Sequence, residues 1–349
     1  MGMSTVVKDR DHVAVAALSL ITVGGVYLDG WAHVNVRGLE TFFTPWHAVL
    51  YSGFVVTAAY LVVLGVRLGG RAGGPQAWWH ALPKAYKVGL AGVATFAVGG
   101  AGDMLWHTLF GVEKGVDALL SPTHLVLLVG GMLLFSSAGV AAARVNGSRV
   151  AIALSAAAVG AAAAFFMSYL DVFRQPWARL PFVPNTDDTY VIFGVGGYLL
   201  DTAAILVPIL LMRRHLPRPP RGALSVVVFA VAVGGGANSE YAYPAPIVGA
   251  VVGAVVADVL LGIVPWRRDP WLLFGFAAPV FVWSGQLLGT AYANGMGWTR
   301  ELWAGVVVLC ALGGWALAAV SRPAEPPVAR DGGEPRGGAE QRESATMAG

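Results

Sequence analysis

Apolar residues in this chain come in long, nearly unbroken runs, with polar residues collected in the short stretches between them. A helix needs about 20 mostly apolar residues to cross a hydrocarbon layer, because its backbone groups find no water there. Ten such runs predict spanning helices over 13–33, 44–66, 84–109, 122–143, 150–172, 189–212, 222–240, 245–263, 270–292 and 299–320. The expected fold class is an all-α polytopic membrane protein, a bundle of about ten transmembrane helices in a lipid bilayer.

Loop charges orient the bundle. Arg67, Arg71, Lys84 and Lys87 follow the second run, and Arg144 and Arg149 follow the fourth. Arg213, Arg214, Arg218 and Arg221 follow the sixth, and Arg267 and Arg268 the eighth. The alternate loops carry Asp187, Asp188, Glu240 and Glu301 instead. By the positive-inside rule this places both termini in the cytoplasm and the protein in the cell membrane as a multi-pass chain. No cleavable leader is expected, since Lys8-Asp9-Arg10-Asp11 enters the first run without a small-residue cleavage pattern.

Composition adds exclusions. Hydrophobic residues make up 56% and charged residues 12% of the 349 positions, about half the charge of a soluble domain. The net charge of +3 is spread over short loops, so no nucleic-acid partner is implied. The lone cysteine, Cys310, rules out disulfides and thiolate zinc ribbons. Many of the 46 glycines lie inside helical runs, as at Gly99-Gly100 and Gly234-Gly235-Gly236, and predict close helix contacts.

Four of the seven histidines fall into a repeat. The first copy is Asp29-Gly-Trp-Ala-His33 followed by Thr44-Pro45-Trp46-His47. The second is Asp103-Met-Leu-Trp-His107 followed by Ser121-Pro122-Thr123-His124. Asp29 to Asp103 and His33 to His107 are each 74 positions, and His47 to His124 is 77. Asp and His at i and i+4 share one helix face. Thr44 and Ser121 suit N-caps and Pro45 and Pro122 the first helical position, which puts His47 and His124 in a first turn. A short loop then brings one carboxylate and two imidazoles together in each copy, at the outer end of the bundle. Such donors suit copper, zinc or iron, and three protein ligands leave a position open.

The stretch Asp29 to His33 with Phe42-Phe43-Thr44-Pro45-Trp46-His47 resembles the first copper motif of the C subunit of the copper membrane monooxygenases, the particulate methane and ammonia monooxygenases. Trp106-His107 through Glu113 to Pro122-x-His124 resembles the second motif, with Asp103 where that family usually has Asn. The resemblance covers about residues 20–135. It implies that Asp29, His33, His47, Asp103, His107 and His124 are copper ligands and that activity passes through that metal. It implies an oxygen-activating monooxygenase, or a diverged relative, acting on a small hydrophobic substrate. It also implies other membrane subunits or a cupredoxin-like subunit as partners.

The chain divides into a four-helix metal-binding unit over 1–143, a six-helix membrane unit of unassigned role over 144–321, and a disordered cytoplasmic tail over 322–349. Asp201 and Asp258 lie mid-span, where carboxylates are costly; they are read as functional groups or as packing partners of Tyr198, Gln286 or each other. Glu40 and Glu113 are read as loop charges, His12, His80 and His215 as solvated, and Trp46, Trp106, Trp298 and Trp303 as an interfacial aromatic belt. Two alternatives to an enzyme stand. One is a copper or zinc transporter or sensor that captures metal at the outer face and passes it along Asp201 and Asp258. The other is a structural subunit with relict ligands.

Overall fold

A computed structural model describes residues 6–36, 43–111, 113, 115–184, 188–263 and 269–323. The expectations for Glu40, Asp187, Arg267, Arg268 and the tail beyond residue 323 lie outside these residues. The described residues form helices and no strand, as an all-α membrane protein requires. In order these are α1 (Asp9–Asn35), α2 (Pro45–Gly69), α3 (Gly74–Ala81), α4 (Lys84–Phe110), α5 (Val116–Leu120) and α6 (Pro122–Arg144). Then follow α7 (Arg149–Phe166), α8 (Thr189–Leu210), α9 (Ala223–Ala237), α10 (Pro244–Ile263), α11 (Pro270–Asn294) and α12 (Arg300–Val320).

Nine of the described helices are long and apolar enough to span a membrane: all except α3, α5 and α9. The expected seventh span is shorter than its 222–240 run, because α9 has 15 residues and rises only about 22 Å. It still joins the two ends of the bundle. At its start, Asp258 in α10 accepts hydrogen bonds from the Ser225 N–H at 2.9 Å and the Ser225 hydroxyl at 2.6 Å. At its end, Gly234 lies against the Tyr27 ring of α1, and Glu240 just beyond accepts from the Trp31 indole. The three consecutive glycines let Tyr27, Asp171 and Ile247 close on the end of the helix, where larger side chains would block them.

The expected fifth span also ends early, at Phe166 instead of 172. The Asp171 carboxylate accepts from the Phe173 and Arg174 N–H groups at 2.6 and 3.4 Å, a local turn that competes with helix. The irregular stretch after α7 folds back into the bundle, with Val172 and Phe173 fully buried.

Helix ends sort onto two faces. On one, Asp9 at the start of α1 accepts from the Ser148 N–H at the start of α7. On the same face Met212, past the end of α8, reaches Gly139 in α6. There Arg213 donates to Asp269, before α11, and to the Ala318 carbonyl near the end of α12. The first helix thus starts, and the last ends, on the face where the arginine-rich loops gather.

The repeat is written into the packing of α1, α2, α4 and α6. A methyl group placed on Gly25 would meet Leu50 at 2.8 Å, and one on Gly99, 74 positions on, would meet Leu127 at 3.0 Å. Likewise Gly53 abuts Thr22, while its counterpart Gly130 abuts Phe96. The hairpin α1–α2 therefore packs as α4–α6 does, and α1 also touches α6, more extensively than α2 touches α4. Equivalent residues meet across the implied two-fold axis. His12 Nδ1 lies 2.6 Å from the Tyr86 hydroxyl, 74 positions on, near one end. The His33 and His107 rings stack at 6.4 Å near the other.

His12 is thereby buried, not solvated as expected, because the two-fold pairs it with Tyr86. Trp298 is also buried, packed on Tyr198 and Gly194, and does not belong to an interfacial belt. Beyond the repeat, α7 packs on α1, α6 and α9, so the helices after Arg144 continue the same bundle.

Candidate metal centre

The geometry starts with two caps. Thr44 Oγ1 accepts from the His47 N–H at 3.1 Å and Ser121 Oγ from the His124 N–H at 3.4 Å, so each begins its helix as an N-cap with proline next. The caps fix where His47 and His124 leave the first turn. The helical rise of α1 and α4 then sets Asp29 beneath His33 and Asp103 beneath His107.

In each copy one donor atom per residue lies within 4.8 Å of the others. Asp29 Oδ2 is 3.7 Å from His33 Nε2 and 3.5 Å from His47 Nε2. Asp103 Oδ2 is 3.5 Å from His107 Nε2, and Asp103 Oδ1 is 3.2 Å from His124 Nε2. All six residues that the sequence singles out are brought together, and all six are at least partly buried. The two sets adjoin, since the His47 and His107 rings are also 6.4 Å apart.

The opposite ring nitrogens are held from behind. His124 Nδ1 donates to the Ala118 carbonyl of α5 and lies 2.9 Å from Ser121 Oγ. His107 Nδ1 faces the Gly111 carbonyl and Glu113 Oε2, each at 3.3 Å. His47 Nδ1 is 3.1 Å from Thr44 Oγ1. A carbonyl only accepts, so Nδ1 of His124 and of His107 carries the hydrogen. In the neutral ring that leaves an Nε2 lone pair turned toward a carboxylate oxygen. Two acceptors at 3.2–3.5 Å repel each other unless a proton or a cation lies between them. This is the arrangement in which outer partners orient histidines for a metal. Asp29 Oδ1 is buried without a hydrogen-bond partner, so this carboxylate is left short of the donors that its charge requires. The donor chemistry therefore fits a divalent or monovalent transition metal.

A cavity of about 520 Å³ opens on both sets, with Asp29, His33, His47, Asp103 and His124 on its wall. Val26, Leu50, Phe96, Leu127 and Phe135 make much of the remainder apolar. Tyr51 stands beside His47, with ring centroids 6.2 Å apart.

Some neighbours carry no sequence signal of this kind. Glu113, expected as a plain loop charge, accepts from the Trp106 indole and contacts His107. Ser168, Tyr169, Arg174 and Gln175 reach the cavity from the irregular stretch after α7. Pro176 and the polar cluster before it were the available hint that the fifth run ends early.

The two mid-span carboxylates go elsewhere. Asp258 is engaged with Ser225 at the start of α9. Asp201 accepts from the Val172 N–H at 3.1 Å, next to buried Asp171. Tyr198 instead donates to Gln286 at 2.6 Å.

Fold and site together define a polytopic helical membrane protein with paired Asp/His/His donor sets. Comparison with family models, with curated proteins and with solved structures gives no match.

Proposed function

We propose that the chain is a copper-binding membrane oxidoreductase that uses dioxygen to oxidise a small hydrophobic substrate, in the manner of a copper membrane monooxygenase or a diverged relative. The observation that carries this reading is the pair of donor sets opening on one largely apolar cavity. Asp29, His33 and His47 hold one metal, and Asp103, His107 and His124 the other. Bound copper supplies the redox chemistry toward oxygen. The chain's own residues do the rest. Val26, Leu50, Phe96 and Leu127 exclude water and give an apolar molecule a surface to enter from the bilayer side. Arg174 and Gln175 put polar groups on the same wall, where they orient a polarised substrate or product. Glu113, Ser121 and Thr44 fix the imidazole rings.

The test is oxygen uptake by purified, copper-loaded protein given a short alkane and an added two-electron donor such as a quinol, since inserting one oxygen atom leaves the other to be reduced to water. Uptake that requires the alkane and is lost in His33→Ala is the expected result. Copper binding with no uptake under any donor would move the reading to a transporter or sensor. Absence of bound metal in the native protein would leave a structural subunit.

We place the metal centre on the extracytoplasmic side, because the opposite face gathers the arginine-rich loops. A reporter fused after Arg322 is expected to behave as cytoplasmic, and an extracytoplasmic signal there would invert the orientation.

A further inference from the structure

On the face opposite the metal donors lies a second cavity, of about 440 Å³. Its rim carries Arg149 at the start of α7, and Arg218 and Arg221 from the loop after α8. Its floor is apolar, with Ile152 and Phe274 each 2% exposed and Leu261 beside them.

The arginines here are unlike the ion-paired ones on this face. Arg67 is paired with Asp11, and Arg213 and Arg322 with Asp269. Among the described residues Arg149, Arg218 and Arg221 form no ion pair; Arg221 gives one N–H to the Gly262 carbonyl at 3.2 Å. Among the described lining residues the one carboxylate, Asp258, is engaged by the Ser225 N–H and hydroxyl. Three arginines thus line a hollow in which the described residues supply a single, already bonded counter-charge.

The loop that presents two of them reads Leu216-Pro217-Arg218-Pro219-Pro220-Arg221. Proline fixes φ and offers no N–H, so this segment loses little freedom when a ligand docks. Planar guanidinium groups match phosphate oxygens two at a time.

From these features we infer that the cavity binds a phosphate-bearing anion with an apolar attachment, in the membrane the headgroup of an anionic phospholipid. The arginines take the phosphate, and Ile152, Leu261 and Phe274 take the first part of the attached chain. Basic hollows between helices at the cytoplasmic side are suited to such headgroups. The inference is independent of what the metal centre does.

The experiment uses the full chain purified in a neutral detergent. Its thermal midpoint and its retained lipid, by native mass spectrometry, are followed with phosphatidylglycerol, phosphatidylcholine or inorganic phosphate added. Phosphatidylglycerol should raise the midpoint and stay bound, phosphatidylcholine should do neither, and phosphate alone should act weakly. A phosphate effect equal to that of phosphatidylglycerol would assign the site to a free phosphate compound and overturn the lipid source. Each of Arg218→Gln and Arg221→Gln should weaken phosphatidylglycerol retention about fivefold, while Arg71→Gln, outside the cavity, should not. Should the glutamine variants unfold, Arg218→Lys, which keeps the charge but loses the planar fork, should still retain the lipid, more weakly than native. Equal binding of the two phospholipids, or full retention in the double glutamine variant, overturns the site.

Discussion

Replacing His47 with alanine is expected to empty one donor set and leave the other loaded, so that purified protein carries about half the native copper. The two sets come from different hairpins, and each caps its own first turn at Thr44 or Ser121. A companion change should act more gently. Ser121→Ala leaves His124 in place, with Nδ1 still on the Ala118 carbonyl, but removes its cap and one of its two Nδ1 neighbours. Loss of such an orienting partner weakens metal binding by roughly 10–100-fold, and loss of the cap costs about 1 kcal/mol of stability. Metal titration of the two variants, read beside metal content, separates these effects. The stacked rings of His33 and His107 make one other outcome informative. If His47→Ala strips all metal, the six residues act as one composite centre, and the two-site reading falls.

The second large effect is expected far from the metal. Gly249 in α10 and Gly285 in α11 touch through their backbones: a methyl group on either would lie 2.1 Å from the carbonyl oxygen of the other. Gly253 and Gly289 continue the same seam, meeting Phe281 and Ala245. Small residues at this spacing are what allow two membrane helices to approach so closely. Gly249→Val has no flexible side chain to push aside, so the helices must part along the whole seam. Overpacking costs about 1–3 kcal/mol when side chains give way, and backbone against backbone should reach or exceed the upper end. Denaturant titration in detergent measures it. Gly305→Ala is the control, since nothing lies within 4 Å of its added methyl group and a helix-interior alanine gains up to about 1 kcal/mol over glycine. A Gly249→Val protein as stable as native would mean that α10 and α11 do not pack in this register.

Much of this was readable from residue order alone, because the governing rules are local. The i, i+4 spacing of Asp29 and His33, and the Thr-Pro and Ser-Pro starts before His47 and His124, leave little freedom in where those side chains point. The repeat, with offsets of 74 and 77 positions, went further than the metal donors, since it also relates the Gly25–Leu50 contact to Gly99–Leu127. It relates His12 to Tyr86 as well, yet their pairing depends on a two-fold axis between helices, which no single run of sequence specifies. The misread pieces share a cause. Asp171 ends α7 through a bond to its own backbone, in a stretch apolar enough to pass for helix. Glu113 and Ala118 reach the histidines only because the loop between α4 and α6 folds back over them.

The short helix α9 has an electrical consequence. Asp258, bonded at its beginning, borders the arginine-rimmed cavity, and Asn238, the residue that caps its end, borders the metal cavity. At these ends both hollows offer polar partners for water, arginines in one and Ser168, Arg174 and Gln175 in the other, away from the apolar wall beside the donors. Along α9 the path between these two polar ends is about 22 Å, shorter than a hydrocarbon layer of about 30 Å. A voltage across the membrane falls most steeply along that shorter path. A charge moved between the ends of α9 would cross nearly all of it, worth about 2.3 kcal/mol per 100 mV. That shorter path runs from the arginine-rimmed hollow to the cavity that the two donor sets line.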